Sequence, residues 1–395
     1  MDLLVVLFSG IIIKIVSEKL PSLRIGRLEA ETPIVLGGMS SGLTRSSIAA
    51  AVANEGGFGT IGGVGLGFSE KTKNHRDLIR TNESELRREI SDALEMSNDG
   101  NIGVNLMVAT TDYEKSVKIA VEEGAKYIVS GAGLPLSLPE MTDKYKVSSH
   151  KKPELIPIVS TARAGELILR RWSRNDVIPA AFVVETPNTA GGHLGVSDAD
   201  DIGKNEYSLE TVVPQLVKTI EKYDYDIPVI AAGGIWDKAD IDNMLKIGAR
   251  GVQLATRFLA TKECNASQAF KDRHVYNIDP IIVMKSPVGM PARAIENDFM
   301  RRLEAGEEID LGPCVNCLRV CEHRESRVLK NQKKIEKLSS FCIIRALYNV
   351  HEGNVENGIL FTGSNGNRLL TDWENEVFTT AQVMQALEGT EQNEE

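Results

Sequence analysis

Thr189, Ala190, Gly191, Gly192 and His193 set two glycines directly before a histidine. A histidine takes or gives a proton near neutral pH, or steadies an anion when charged. The glycines ahead of it leave room for a flat ring to lie against bare backbone. Two further turns of small residues are Ala231-Ala232-Gly233-Gly234 and Gln253-Leu254-Ala255-Thr256-Arg257. Glycine backbone N–H groups approach phosphate oxygens closely, and Thr256 adds a hydroxyl donor. Glycines also serve simply to tighten turns. The case for phosphate rests on both turns occurring together, at matching places in the chain pattern.

Gly37, Gly38 and Met39 form another such turn, Asn105 ends an apolar run, and Gly131 to Gly133 follow a third. An Asn amide offers a donor and an acceptor side by side, which suits the imide edge of a flavin. It also suits an ordinary loop.

The elements that must position these residues alternate along the chain. Short β-rich runs occur at Pro33–Leu36, Phe58–Ile61, Ile102–Leu106, Tyr127–Val129, Leu155–Val159, Ala181–Val184, Pro228–Ala231 and Gly251–Leu254. Helical patterns lie between them. Leu86, Ile90 and Leu94, spaced four apart, make one apolar helix face. Eight strand–helix units predict a parallel sheet closed into a TIM (β/α)₈ barrel. Each turn above follows a strand, so all fall on the C-terminal rim, where this fold does its chemistry. Loops after strands seven and eight are the fold's usual phosphate site.

A barrel takes about 250 residues, and the chain has 395. The organisation read from the sequence is an N-terminal extension over residues 1–21, a barrel with a substrate-covering segment over 22–310, and a smaller helical C-terminal subdomain over 311–395 that carries cysteines and an acidic tail. Apolar residues at 42% and charged residues at 25% mark an ordinary globular chain. The net charge of −10 repels phosphate backbones and argues against a nucleic-acid partner. The apolar run Leu3–Ile13 ends at Lys14, too short for the roughly 20 residues of a membrane span. Asp2 precedes it and no small-residue cleavage site follows, unlike a secretory leader. The run reads as an extra helix or strand, and the protein as cytoplasmic and not stably inserted in a membrane. A homo-oligomer is compatible with the sequence.

Taken together, the motifs resemble the nitronate monooxygenases, formerly called 2-nitropropane dioxygenases. The resemblance is carried by Pro33 with Gly37-Gly38-Met39, Gly103-Val104-Asn105, Ala190-Gly191-Gly192-His193, Ala231-Ala232-Gly233-Gly234-Ile235 and Gly251-Val252-Gln253-Leu254-Ala255-Thr256-Arg257-Phe258. It implies an FMN-dependent oxidoreductase that oxidises alkyl nitronates with O₂ to carbonyl compounds and nitrite. Flavin-dependent enoyl-ACP reductases share these motifs, so the alternative is an enoyl-thioester reductase using NAD(P)H. The resemblance implies that His193 is catalytic and that Asn105 and Gly191 contact the flavin, with Gly38, Met39, Glu185 and Gly192 beside it. It gives Gly233, Gly234, Gln253, Leu254, Ala255 and Thr256 the FMN phosphate. The family often carries Gln-Gly-x-Glu before the Ala-Gly-Gly-His turn. Here Glu185-Thr186-Pro187-Asn188-Thr189 stands instead.

Cys314, Cys317 and Cys321 follow a C-x₂-C-x₃-C spacing, and Cys342 comes later. Thiolates so spaced can ligate a [4Fe–4S] cluster or zinc. A similar run follows the flavin barrel of the 2,4-dienoyl-CoA reductases. The alternative is that these cysteines pack as small apolar groups.

Overall fold

A computed structural model describes residues 3–8, 11–16, 19–338, 340–372 and 378–389. The acidic end, residues 390–395, lies outside the described residues. Eight parallel strands form the central sheet. They are β1 (Ile34–Leu36), β2 (Gly59–Gly62), β3 (Ile102–Met107), β4 (Tyr127–Gly131), β5 (Glu154–Val159), β6 (Phe182–Glu185), β7 (Val229–Ala232) and β8 (Gly251–Leu254). Each falls where the sequence predicts it. β8 pairs with β1, and the ring closes through the parallel bridge Val35↔Phe58. The fold is therefore the expected α/β TIM barrel.

Burial explains the strand sequences. Inward residues Val35, Phe58, Tyr127, Val129, Ile156, Val183 and Ile230 form one buried cluster. A hairpin of Leu23–Ile25 and Leu28–Ala30 adds Leu23 and Ile25 to it and stoppers one end. Gly103 is required here: a Cβ would sit 2.4 Å from the Tyr127 ring. The Tyr127 hydroxyl donates to the Gly59 carbonyl at 2.8 Å, so the interior tyrosine is satisfied. Outward residues bury against the surrounding helices. In Ala162–Ser173, for example, the Thr161 hydroxyl caps the first turn and Ile168, Leu169 and Trp172 face the sheet.

The extension Leu3–Phe8 and Ile11–Val16 is an antiparallel strand pair, within the sequence expectation of a helix or strand. No helix among the described residues is long and apolar enough to cross a membrane.

After β8 the chain does not leave the barrel. Ile281–Lys285 and Pro291–Ile295 form an antiparallel pair on the rim. The free edge of Pro291–Ile295 is shared by Gly192–His193 and by Leu360–Phe361. Thus residues 281–295 and 360–361 build a small sheet with Gly192–His193 over the β6 end of the barrel.

Candidate active site

The C-terminal rim encloses a cavity of about 550 Å³. All twelve residues expected to bind the cofactor line it, as does His193. They are Gly38, Met39, Asn105, Glu185, Gly191, Gly192, Gly233, Gly234, Gln253, Leu254, Ala255 and Thr256. The strands bring them together from across the sequence. Glu185, Ala232 and Gln253 stand in one row of paired positions across β6, β7 and β8.

The turns are held from behind. The Asn105 amide donates to the Gly38 carbonyl at 3.1 Å, which leaves its second N–H and its carbonyl for other partners. Gly233 and Gly234 take φ of +97° and +74°, conformations that a side chain disfavours. A Cβ on Gly234 would also meet the Thr189 Cβ at 2.7 Å. The Gly363 N–H donates to Thr256 Oγ1 at 3.1 Å, and the Asn365 amide donates to the Gly234 carbonyl at 2.6 Å. Both phosphate-type turns are thus covered by the chain around residue 363. Gly191 packs so tightly there that a Cβ would lie 2.6 Å from the Thr362 carbonyl carbon.

His193 sits in the short strand Gly192–His193. Its Nε2 is 2.7 Å from Ser286 Oγ, and its ring meets Phe361 edge-on at 5.2 Å. Burial pushes its pKa down to about 4, so the ring is neutral at neutral pH. Glu185 shows the opposite: burial, with no charge or hydrogen bond to offset it, pushes its carboxyl up to about 7. Lys and Arg are absent from the described residues that line the cavity. Three buried polar atoms of the lining lack any hydrogen-bond partner: Thr189 Oγ1, Gln253 Oε1 and Thr362 Oγ1.

Two contributors escaped the sequence reading. Arg293 is buried and donates to the carbonyls of Pro187 and Asn188 at 3.1 Å each, and to that of Ala190. It pins the whole loop ahead of His193. His351 also lines the cavity, whereas local spacing marks only His193 as a catalytic histidine. Its Nδ1 lies 3.1 Å from the Ser41 carbonyl. A carbonyl only accepts, so Nδ1 carries the proton. Burial pushes His351 down to about 4. Nothing in local spacing marks either residue, because each reaches the rim through the strand pairing and helix packing of the C-terminal segment.

The cysteines need a correction. Among the described residues no group of three or more His, Cys, Asp or Glu side chains is arranged to hold a metal ion. The [4Fe–4S] or zinc site expected at Cys314, Cys317, Cys321 and Cys342 is therefore not supported. These thiols neighbour one another, and Cys317, Cys321 and Cys342 pack as apolar groups, while the Cys314 thiol contacts Asn316. Cys317 and Cys321 join the cluster around Phe299 and Phe341, while Cys342 joins Phe68 and Val315. Burial raises Cys317 and Cys321 and pushes Cys342 up to about 11. Cys321 and Cys342 instead stand at the starts of helices Glu322–Asn331 and Ile343–His351.

Residues 24–374 match the family model described as nitronate monooxygenase. A probable nitronate monooxygenase of Staphylococcus saprophyticus is 28% identical over 318 residues, covering 74% of this chain and 84% of the relative. One from Staphylococcus aureus is 27% identical, covering 71% and 79%. Among solved structures, FabK from Thermotoga maritima aligns with a TM-score of 0.65 at 22% identity, covering 91% of this chain and 93% of that one. A nitroalkane oxidase from Streptomyces ansochromogenes aligns with a TM-score of 0.63 at 18% identity, covering 91% and 96%. At these identities the structures speak for the fold alone. The family match spans nearly the whole chain, and on that ground the chain belongs to the nitronate monooxygenase family.

Proposed function

We propose that this protein is a cytoplasmic FMN-dependent nitronate monooxygenase, oxidising alkyl nitronates with O₂ to carbonyl compounds and nitrite. The observation that carries the reading is the cavity itself. Three buried polar atoms without partners, Thr189 Oγ1, Gln253 Oε1 and Thr362 Oγ1, line the same space as His193 and four bare glycine turns. Burying such atoms unpaired costs about 1–3 kcal/mol each, which a bound polar ligand would offset.

The residues present fit FMN. Backbone N–H groups of the Gly233–Gly234 and Ala255–Thr256 turns would hold its phosphate, with no lysine or arginine required from the lining. Asn105 and Gln253 would serve ring polar edges, and Gly191 would let the ring approach the backbone. When bound, FMN supplies the redox chemistry between substrate and O₂. The chain positions and shields. His193, neutral and fixed by Ser286, would offer a hydrogen bond to the nitro group of the substrate. Phe361, which meets that ring edge-on, helps hold its orientation.

The test is direct. Flavin released from the purified holoprotein should chromatograph as FMN. A preformed alkyl nitronate should be consumed with O₂ and yield nitrite, and His193→Asn should retain FMN while losing about 10²–10⁴ in turnover. Anaerobic NADH should leave the flavin oxidised. Rapid bleaching by NADH without nitronate turnover would overturn this reading in favour of the enoyl reductase.

A further inference from the structure

The cysteine spacing that makes no metal site still sets two thiols side by side in the chain, outside the cavity. Cys314 and Cys317 enclose Val315 and Asn316 in a C-x₂-C step. Their surroundings differ. Cys314 is half-buried; its Sγ accepts the Asn316 backbone N–H at 3.5 Å and lies 3.7 Å from Asn316 Oδ1. Asn316 takes φ of +52°, a left-handed kink between the two cysteines. Cys317 packs against two apolar clusters, the one that holds Cys321 and the one that holds Cys342. Its carbonyl accepts the Thr111 N–H at 3.0 Å, and the Arg319 N–H donates to the Ala109 carbonyl at 2.9 Å. The segment is thereby sewn to the loop after β3, the strand whose last residue, Met107, lines the cavity.

We propose that Cys314 and Cys317 form a peroxide-reactive dithiol, in which Cys314 attacks the oxidant and Cys317 resolves the product as a disulfide. The site is separate from the flavin cavity, and nothing in it depends on the nitronate reading. In the first step the Cys314 thiolate attacks one oxygen of hydrogen peroxide. An S–O bond forms and the O–O bond breaks. The departing hydroxide takes up the proton that Cys314 gave up and leaves as water. Cys314 is then a sulfenic acid, oxidised by two electrons, and the peroxide is reduced by the same two. In the second step the Cys317 sulfur attacks the Cys314 sulfur. An S–S bond forms, the S–O bond breaks, and the oxygen leaves with the Cys317 proton as a second water.

Exposure assigns the roles. The oxidant reaches Cys314, and the N–H contact holds its sulfur in place. Burial keeps Cys317 a thiol, inert to the oxidant itself, until a sulfenic acid forms close by in the chain. Cys321 and Cys342 are buried at helix starts, and Cys264 is buried against the Leu43 carbonyl. The disulfide stiffens the segment that Thr111 and Ala109 hold to the rim.

For the test, the full-length holoprotein is treated with a small excess of hydrogen peroxide, blocked with N-ethylmaleimide and digested without reductant. Two of its five thiols are lost, the peptide map joins Cys314 to Cys317, and dithiothreitol restores both. In Cys317→Ser the first step runs and the second cannot, so dimedone labels a sulfenic acid at Cys314. In Cys314→Ser, thiol loss slows about tenfold or more. In the oxidised wild type, hydrogen exchange at the Thr111 and Arg319 amides slows by about tenfold. Equal exchange in the two states overturns the stiffening. A disulfide joining any other pair, or a dimedone adduct on Cys264, Cys321 or Cys342, overturns the assignment. So does survival of all five thiols under peroxide that oxidises free cysteine in the same buffer. Stoichiometric iron or zinc held by these thiols also overturns it, because they would then be ligands. The wild-type map and metal content decide this whether or not either variant folds.

Discussion

Ser286 Oγ lies 2.7 Å from His193 Nε2, and the two residues reach each other only because Gly192–His193 pairs with Pro291–Ile295. Ser286 sits at the turn between the two paired rim strands, where its own N–H donates to the Met290 carbonyl. The hydroxyl fixes which way the imidazole points, while the strand pairing fixes where it stands. Ser286→Ala removes the first and keeps the second. A hydrogen bond of this kind is worth about 0.5–1.5 kcal/mol, or roughly 3- to 10-fold in rate. The variant should lose that much in kcat/KM for nitronate while retaining FMN, measured by steady-state O₂ uptake. Unchanged kcat/KM would mean that Ser286 does not orient the ring.

Arg293 carries a larger load. Its guanidinium satisfies three carbonyls of the loop that leads into the Ala-Gly-Gly-His turn. Arg293→Met leaves all three without that donor and frees the loop. Each charge-assisted bond contributes about 1.5–3 kcal/mol, so global stability should fall by at least about 3 kcal/mol. Urea unfolding measures this directly. FMN should also be retained less well, since Gly191 lies in the same loop. A midpoint equal to wild type would show that the loop holds itself.

Gly191→Ala tests the close approach between that loop and the C-terminal segment. The new methyl would lie 2.6 Å from the Thr362 carbonyl carbon, and backbone cannot yield cheaply. Displacing residue 362 also disturbs the Gly363 contact to Thr256. FMN affinity should drop about tenfold or more, an equilibrium loss of about 1.4 kcal/mol. Fluorescence titration of the apoprotein with FMN reads it. Equal affinity would show the contact to be slack.

The barrel was legible because its signals are local. Strand runs such as Tyr127–Val129 and turns such as Gly233-Gly234 depend on burial and backbone conformation within a few residues. Their order along the chain then places them on one rim. His193 was legible for the same reason, through the two glycines before it. What holds His193 was not. Ser286, Arg293, Phe361 and His351 come from the segment after β8, where strand pairing across distant residues decides position. The cysteine spacing was visible but misleading. Spacing reports how thiols could converge, whereas apolar neighbours such as Phe341 and Phe68, far apart in sequence, decide that they are packed instead.

Acid stability provides a last check on the buried histidines. His193 and His351 have folded pKa values pushed down to about 4, and burial also lowers His274 and His323. In the unfolded chain each returns to about 6.5. The folded values are lower, so the stability these groups contribute is fully present above pH 6.5 and is lost as pH falls toward about 4. A shift of this size corresponds to roughly 3 kcal/mol for one histidine. Glu185 runs the other way. Its folded value lies above the unfolded one, so its contribution is present at low pH and is lost as pH rises through about 7. Thermal unfolding should therefore be steepest in pH between 6.5 and 4, with Glu185 partly opposing the histidines between its unfolded value of 4.5 and about 7. His351→Gln removes one titrating ring while an amide N–H can still reach the Ser41 carbonyl. It should flatten the acid limb relative to wild type, whereas Glu185→Gln, which removes the opposing contribution, should steepen it. An acid limb of the same slope in wild type and His351→Gln would show that His351 does not stay neutral on folding.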